Sequence, residues 1–216
     1  MSSEKDSKTR EPSPKAAYQQ YHEAIYQGLA ERKMGGWSTL DETLDMARQM
    51  AEALKAVGAA TTGRLLELGC GDGAFTAAML ESWEYSVSAI DISSTAIDLA
   101  QKRLQSLGLA AEFATGSVLE LPWGDEAFDV AVDSHCFHCI VLDDRARFLA
   151  EASRVLRPGG LLVIMTMAGD PPPALREHFD METRCLVFDG VIARQIAHEE
   201  AILRELTQAG FEIAYH

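Results

Sequence analysis

Basic residues are scarce in this chain: 19 Lys and Arg stand against 33 Asp and Glu in 216 residues, a formal net charge of -14. Proteins that hold nucleic acid draw much of their affinity from Lys and Arg neutralising phosphates, so no nucleic-acid partner is expected. Cysteine is sparse as well. Cys70, Cys136, Cys139 and Cys185 lie in or beside hydrophobic segments, without the dense spacing of a secreted disulfide scaffold, and this points to the reducing cytoplasm. No apolar run approaches the roughly 20 residues that span a bilayer. The opening stretch MSSEKDSKTREPSPK lacks the apolar centre of a signal peptide, so no membrane partner is expected and residues 1–15 read as a disordered leader. No repeat at solenoid or propeller period is visible.

With 47% of its residues apolar, the chain can bury the core of one α/β domain. Residues 16–216 read as that domain, with a helical cap over 16–58 and a core over 64–216. Thr39-Leu40-Asp41-Glu42 has capping-box spacing, and Leu40, Leu44, Ala47, Ala51 and Leu54 then recur at helical intervals up to Gly58. From Arg64 onward, RLLEL, SVSAI, AEFAT, FDVAVD and LLVIMTM are five strand candidates separated by helical patterns. Ile97, Ala100, Leu104 and Leu107 share one helical face; Phe148, Leu149, Ala152 and Val155 share another. Such alternation predicts right-handed crossovers and a parallel sheet covered on both faces. The expected class is therefore α/β: a Rossmann-like, doubly wound, mostly parallel sheet with an N-terminal helical cap. A last helix near 198–209 leaves residues 211–216 as a final short strand.

Residues 65–73, LLELGCGDG, carry the clearest chemistry. Gly69, Gly71 and Gly73 follow an apolar strand and open a helix near Ala74, where glycine lets backbone pass close to a ligand and free N–H groups face it. Asp91, at the end of the second strand, is placed to accept from ribose hydroxyls. On spacing alone, Gly69, Gly71, Ala74 and Asp91 also satisfy the NAD-binding pattern.

Glu67-x-Gly69-x-Gly71-x-Gly73 resembles the first motif of class I S-adenosylmethionine-dependent methyltransferases. Leu156-Arg157-Pro158-Gly159-Gly160 resembles that family's turn into its fifth strand. Charge favours the same cofactor, since a pyrophosphate would be repelled by Glu67 and Asp72, whereas S-adenosylmethionine carries an ammonium and a sulfonium. The resemblance implies methyl transfer to the O, N or S nucleophile of a small molecule. The alternatives are an NAD-binding Rossmann protein and a protein that binds S-adenosylmethionine without turning it over.

Residue by residue, the resemblance puts Glu67 near the methionine amino end and the backbone of Leu68, Gly69, Cys70 and Gly71 at the amino acid moiety. It puts Asp91 on the ribose, Ile92 against the adenine, and Val118 at an adenine nitrogen through its N–H. Ser117 departs from the family by offering a hydroxyl where an Asp is common. Asp133 contacts the cofactor or orders its loop. His135 and His138, not separable from each other, are the base candidates for an acceptor that must lose a proton. The His-Cys-x-His-Cys run lacks a second ligand pair, so no metal is expected.

Two segments are candidate walls for the acceptor: Tyr18, Tyr21, Tyr26 and Trp37 with a joint at Met34-Gly35-Gly36, and residues 167–190, broken by Pro171-Pro172-Pro173. Arg176, Arg184 and Arg194 stand as candidate grips for an anionic group. The resemblance implies a sheet that finishes with an antiparallel hairpin of two strands, of which only residues 211–216 remain after the last helix, so the final strand is expected to be absent or truncated. Its loss would leave an edge that a second copy, in a homodimer, would cover.

Overall fold

A computed structural model describes residues 14–32 and 39–216. The expected leader, apart from its last two residues, and the Met34 to Trp37 joint lie outside the described residues.

The chain opens with α1 (Pro14–Glu31) and α2 (Leu40–Ala56). The capping box of α2 is formed: the Thr39 side chain accepts from the Glu42 N–H, and the Glu42 carboxylate accepts from the Thr39 N–H at 2.7 Å. Then come β1 (Thr62–Leu68), α3 (Ala74–Ser82), β2 (Glu84–Asp91), α4 (Ser94–Leu107) and β3 (Glu112–Thr115). β4 (Phe128–Ser134), α5 (Asp144–Val155) and β5 (Leu156–Met165) follow. These five strands are parallel, in the order β3-β2-β1-β4-β5.

Successive residues of a strand face opposite sides, and here both sides are buried. Leu65, Val130 and Val132 pack with Met50, Leu54 and Met79 from α2 and α3. Leu66, Leu68 and Ala131 pack with Phe148, Leu149 and Ile202 on the other side. That double burial is why the strands read as continuous apolar runs. Leu107, expected on the buried face of α4, is 51% exposed because it is the last helical residue before the Gly108 cap.

Two expectations change. β5 begins at Leu156, which pairs with Phe128, and regular pairing resumes only at Leu161 with Val130. The intervening residues 157–160 bulge, with Arg157 Nε 2.7 Å from Asp129 Oδ1. Residues 211–216 form no strand: Phe211 donates its N–H to Leu206 O at 3.1 Å, and residues 212–216 are exposed. A strand needs a neighbour to take its backbone groups, and no described backbone does so there.

The segment expected to be irregular after β5 instead holds a small antiparallel sheet of β6 (Phe179–Asp180), β7 (Cys185–Phe188) and β8 (Val191–Gln195), followed by α6 (Glu199–Gln208). Asp189 and Gly190 join β7 to β8 with φ of 49° and 78°, the two positive values that a type I′ hairpin turn requires. No described helix is long and apolar enough to cross a membrane.

Candidate active site

The glycine loop is held from three sides. The N–H groups of Gly69 and Cys70 both donate to Ile90 O, at 2.8 and 3.0 Å, fastening the loop to the end of β2. Gly69 and Gly71 adopt φ of 75° and 55°, the left-handed region that side chains disfavour. A Cβ on Gly69 would lie 2.5 Å from Cys136 Cβ, and one on Gly71 2.5 Å from Tyr26 Oη. The loop is therefore pressed between the turn after β4 and helix α1. The helix is tied down by Glu23, whose carboxylate accepts from Ser93 Oγ at 2.7 Å and from the Thr95 hydroxyl.

Asp91 organises the same corner. Its Oδ2 accepts from the Gly71 N–H and its Oδ1 from the Ser93 N–H, each at 2.9 Å. Burial raises its pKa to about 6. Glu67 is 1% exposed beneath the loop and accepts from Thr76 Oγ1 at 2.5 Å and Ser134 Oγ at 3.1 Å. Burial raises it to about 7, and repulsion from Asp91 and Asp72 adds to the shift. Asp133 is fully buried. Its Oδ1 accepts from the N–H groups of Cys136 (2.9 Å) and Phe137 (2.6 Å), ordering the turn, and its Oδ2 has no partner.

A cavity of about 890 Å³ opens over this loop. Gly69, Cys70, Gly71, Asp91, Ile92, Ser117 and Val118 line it, and so do His135 and His138. Glu67, Leu68 and Asp133 are buried and do not line it; Glu67 holds Ser134 and Asp133 holds Cys136, which do. The Ser117 hydroxyl accepts from the Leu119 N–H at 3.2 Å.

His135 sits in the turn after β4 with φ of 70°, its ring edge-on to His138 with centroids 5.8 Å apart. His138 Nδ1 is 3.5 Å from Thr166 Oγ1. Burial lowers His138 to about 3 and also lowers His135, with Arg194 the next cause for both.

Two further residues line the cavity. His22 lines the cavity from α1, its ring against Tyr18 (4.4 Å) and edge-on to Tyr21 (5.5 Å). Its buried Nε2 has no hydrogen-bond partner, and burial lowers its pKa to about 4. Tyr18, His22 and Tyr26 recur every four residues, the spacing of one helical face, and that was the signal available for His22. Arg194 lines the cavity from β8. Arg184 instead donates to the carbonyls of Ile196 and Gly169, and Arg176 is exposed. Among the described residues no three of His, Cys, Asp and Glu form a group able to hold a metal ion.

A methyltransferase-domain family matches residues 66–164. A solved S-adenosylmethionine-dependent methyltransferase from Methanosarcina mazei is 28% identical with a TM-score of 0.60, covering 72% of this chain and 82% of that one. The matched segment is a methyltransferase domain, and the fold around it is that of the class I methyltransferases.

Curated relatives of this chain include the 27-O-demethylrifamycin SV methyltransferase of Amycolatopsis mediterranei, 30% identical over 82% of this chain and 65% of that protein. The phthiotriol/phenolphthiotriol dimycocerosates methyltransferase of Mycobacterium leprae is 40% identical over 46% of this chain and 36% of its own length. The chain thus spans roughly one third to two thirds of the curated relatives it matches. In fold it is also similar to the [4+2]-cyclase SpnF, with a TM-score of 0.68 and 22% identity over 94% of this chain and 74% of that one.

The family's cofactor is S-adenosylmethionine, and the site suits it. The cradle at Gly69 and Gly71 has no room for a Cβ. The three carboxyls around it, at Glu67, Asp72 and Asp91, all have raised pKa values, so a neighbouring cation is welcome and a pyrophosphate is not.

The sign of this effect can be tested. Glu67 moves up from 4.5 and Asp91 from 3.8, so the folded state binds protons that the unfolded state releases. The stability these groups contribute is fully present below the ordinary values and is lost as pH rises towards about 7 and about 6. Measured against a Glu67→Gln variant, in which the buried histidines with their opposite pH dependence are common to both proteins, the ligand-free wild type is expected to lose melting temperature between about pH 5 and about pH 7, and to lose less with S-adenosylmethionine bound. A wild-type advantage over Glu67→Gln that grows over that window would contradict this account.

Proposed function

We propose that this chain catalyses methyl transfer from S-adenosylmethionine to a nucleophilic oxygen, nitrogen or sulfur of a small, largely apolar molecule. One observation carries the reading: a single cavity is lined both by the glycine loop and Asp91 and by His22, His135, His138 and Arg194. When bound, the cofactor supplies an electrophilic methyl group on a sulfonium.

The chain's own residues bind, orient and exclude water. Asp91 and the backbone of the glycine loop border the polar end, and Ile92 and Val118 hold the adenine side, with Ser117 as a neutral hydrogen-bond partner. Tyr18 and Tyr26 from α1 cover the cavity, so an acceptor can be held in line with the methyl group away from water. For an acceptor that still carries its proton, His135 is the stronger base, because His138 is held near 3. Two relatives whose names specify an O-methyl group support oxygen as the acceptor atom. Four free thiols and the acidic balance of the chain support a cytoplasmic setting and a small-molecule partner rather than nucleic acid.

Calorimetry with S-adenosylmethionine, S-adenosylhomocysteine and NAD, followed by turnover against a panel of phenols, enols and hydroxylated polyketide-like molecules, tests the reading. Binding of both sulfur ligands and formation of S-adenosylhomocysteine are expected. NAD binding without S-adenosylmethionine binding would overturn it. Tight binding without turnover on any acceptor would favour a protein that keeps the fold for another purpose, since fold does not by itself dictate chemistry.

A further inference from the structure

Phe137 anchors the turn after β4 from a fully buried position. Its N–H and that of Cys136 donate to Asp133 Oδ1, at 2.6 and 2.9 Å. Its ring lies 5.2 Å from that of Phe148 in α5, and the guanidinium carbon of Arg145, also in α5, stands 3.9 Å over its centroid. Arg145 is buried in turn and donates from Nε to Glu205 Oε2 of α6 at 2.7 Å. A continuous set of contacts therefore runs from α6 through Arg145 and the Phe137 ring to Asp133 at the end of β4.

This is a poor device for stability alone. Burial opposes the charges of Arg145 and Asp133, although each favours the other, and both keep a buried atom, Nη2 and Oδ2, without a hydrogen bond. A well-packed apolar side chain in place of a buried ion often serves stability as well or better. What the guanidinium adds is geometry, because its rigid plane fits the face of a ring and its fork fits a carboxylate.

The geometry matters because of what the turn carries. Neither Phe137 nor Arg145 lines the cavity, but Cys136, His138 and Cys139 do, on either side of Phe137. Phe137, His138 and Cys139 form one 3-10 turn, so a shift of the Phe137 ring moves its neighbours with it. Cys136 also backs the glycine loop, since a Cβ on Gly69 would meet Cys136 Cβ at 2.5 Å.

We propose that Arg145 is a positioning residue for methyl transfer: from outside the cavity it clamps Phe137, and so holds Cys136, His138 and Cys139 in place against the glycine loop. The inference rests on the reading that this cavity takes S-adenosylmethionine and a methyl acceptor.

The test uses Arg145→Lys, which keeps the charge and loses the plane, and Glu205→Gln, which weakens the tie to α6 at a partly exposed side chain. Amide exchange in the ligand-free proteins is expected to quicken about tenfold or more over residues 134–140 in Arg145→Lys, and less in Glu205→Gln, with β1 and β2 unchanged. Calorimetric affinity for S-adenosylhomocysteine, measured well below each melting temperature, should fall about tenfold in Arg145→Lys. A residue that served stability alone would lower the melting temperature and leave the affinity of the folded protein as it is. In a Phe137→Leu background, Arg145→Lys should change affinity by no more than about twofold, because the ring through which it acts is gone. Unchanged affinity in Arg145→Lys, exchange that quickens equally across the sheet, or additive effects with Phe137→Leu would overturn the inference. Should Arg145→Lys fail to fold, Glu205→Gln decides by the same exchange and affinity measurements. Failure of the wild type to bind S-adenosylhomocysteine would sink the methyl-transfer reading instead, and the exchange measurements, which need no ligand, would still judge the clamp.

Discussion

Replacing Gly69 with alanine is expected to lower affinity for S-adenosylmethionine by roughly 100-fold, a change of about 2.7 kcal/mol. Two penalties combine. At φ of 75° a side chain costs about 1–2 kcal/mol in backbone strain. The added Cβ would also stand 2.5 Å from Cys136 Cβ and 2.7 Å from its Sγ, so either the loop or the turn after β4 must move. Both border the cavity. A cycle with Cys136→Gly separates the two terms, because removing the opposing side chain relieves the clash but leaves the strain. Recovery of about tenfold in the double variant is expected, measured by calorimetry. If Gly69→Ala binds the cofactor as the wild type does, the loop is not the cradle described above.

Asp91→Ala is expected to cost at least about 100-fold in cofactor affinity, because each of two backbone N–H groups loses an ionic acceptor, an interaction of about 1.5–3 kcal/mol. Those groups belong to Gly71 and to Ser93, the N-cap of α4, so the loop and the start of the next helix loosen together. The stability loss should be smaller than the two bonds imply, since burial already opposes the charge of Asp91. Asp91→Asn keeps one acceptor oxygen and should lie between. It should also remove the part of the pH dependence centred near 6, where affinity for the cationic cofactor rises as the carboxyl ionises. Calorimetry across pH reads both outcomes, and an Asp91→Ala protein within threefold of wild type would show that Asp91 does not serve the cofactor.

Much of this architecture was legible because its causes are local. The capping box of α2 needs only Thr39 and Glu42, three residues apart. The parallel strands announce themselves by apolar runs buried on both faces, and the loop by glycines between a strand and a helix. The β7–β8 hairpin was written in Asp189-Gly190 but sits downstream of a proline run that marks the whole segment as irregular. Residues 211–216 show the opposite case. Their composition suits a strand, but a strand exists only where another backbone takes its hydrogen bonds.

The site divides along the same line. Asp91, Ile92, Ser117 and Val118 follow the strand ends, and the fold carries them to the cavity wall. Glu67 sits on an alternating strand, and spacing could not say whether its carboxyl meets the ligand or lies beneath the loop with Thr76 and Ser134. Arg176, Arg184 and Arg194 were equivalent in sequence; only the folded chain spends Arg184 on two carbonyls, leaves Arg176 at the surface and brings Arg194 to the histidines.

What the sequence by itself determined was the glycine loop, the acid that follows it and the α/β order, because backbone conformation and strand burial are imposed by neighbouring residues. Only the tertiary structure decided which titratable groups share one cavity and how far burial moves them. Those properties depend on side chains that meet from α1, the turn after β4 and β8, and on the water that their meeting excludes.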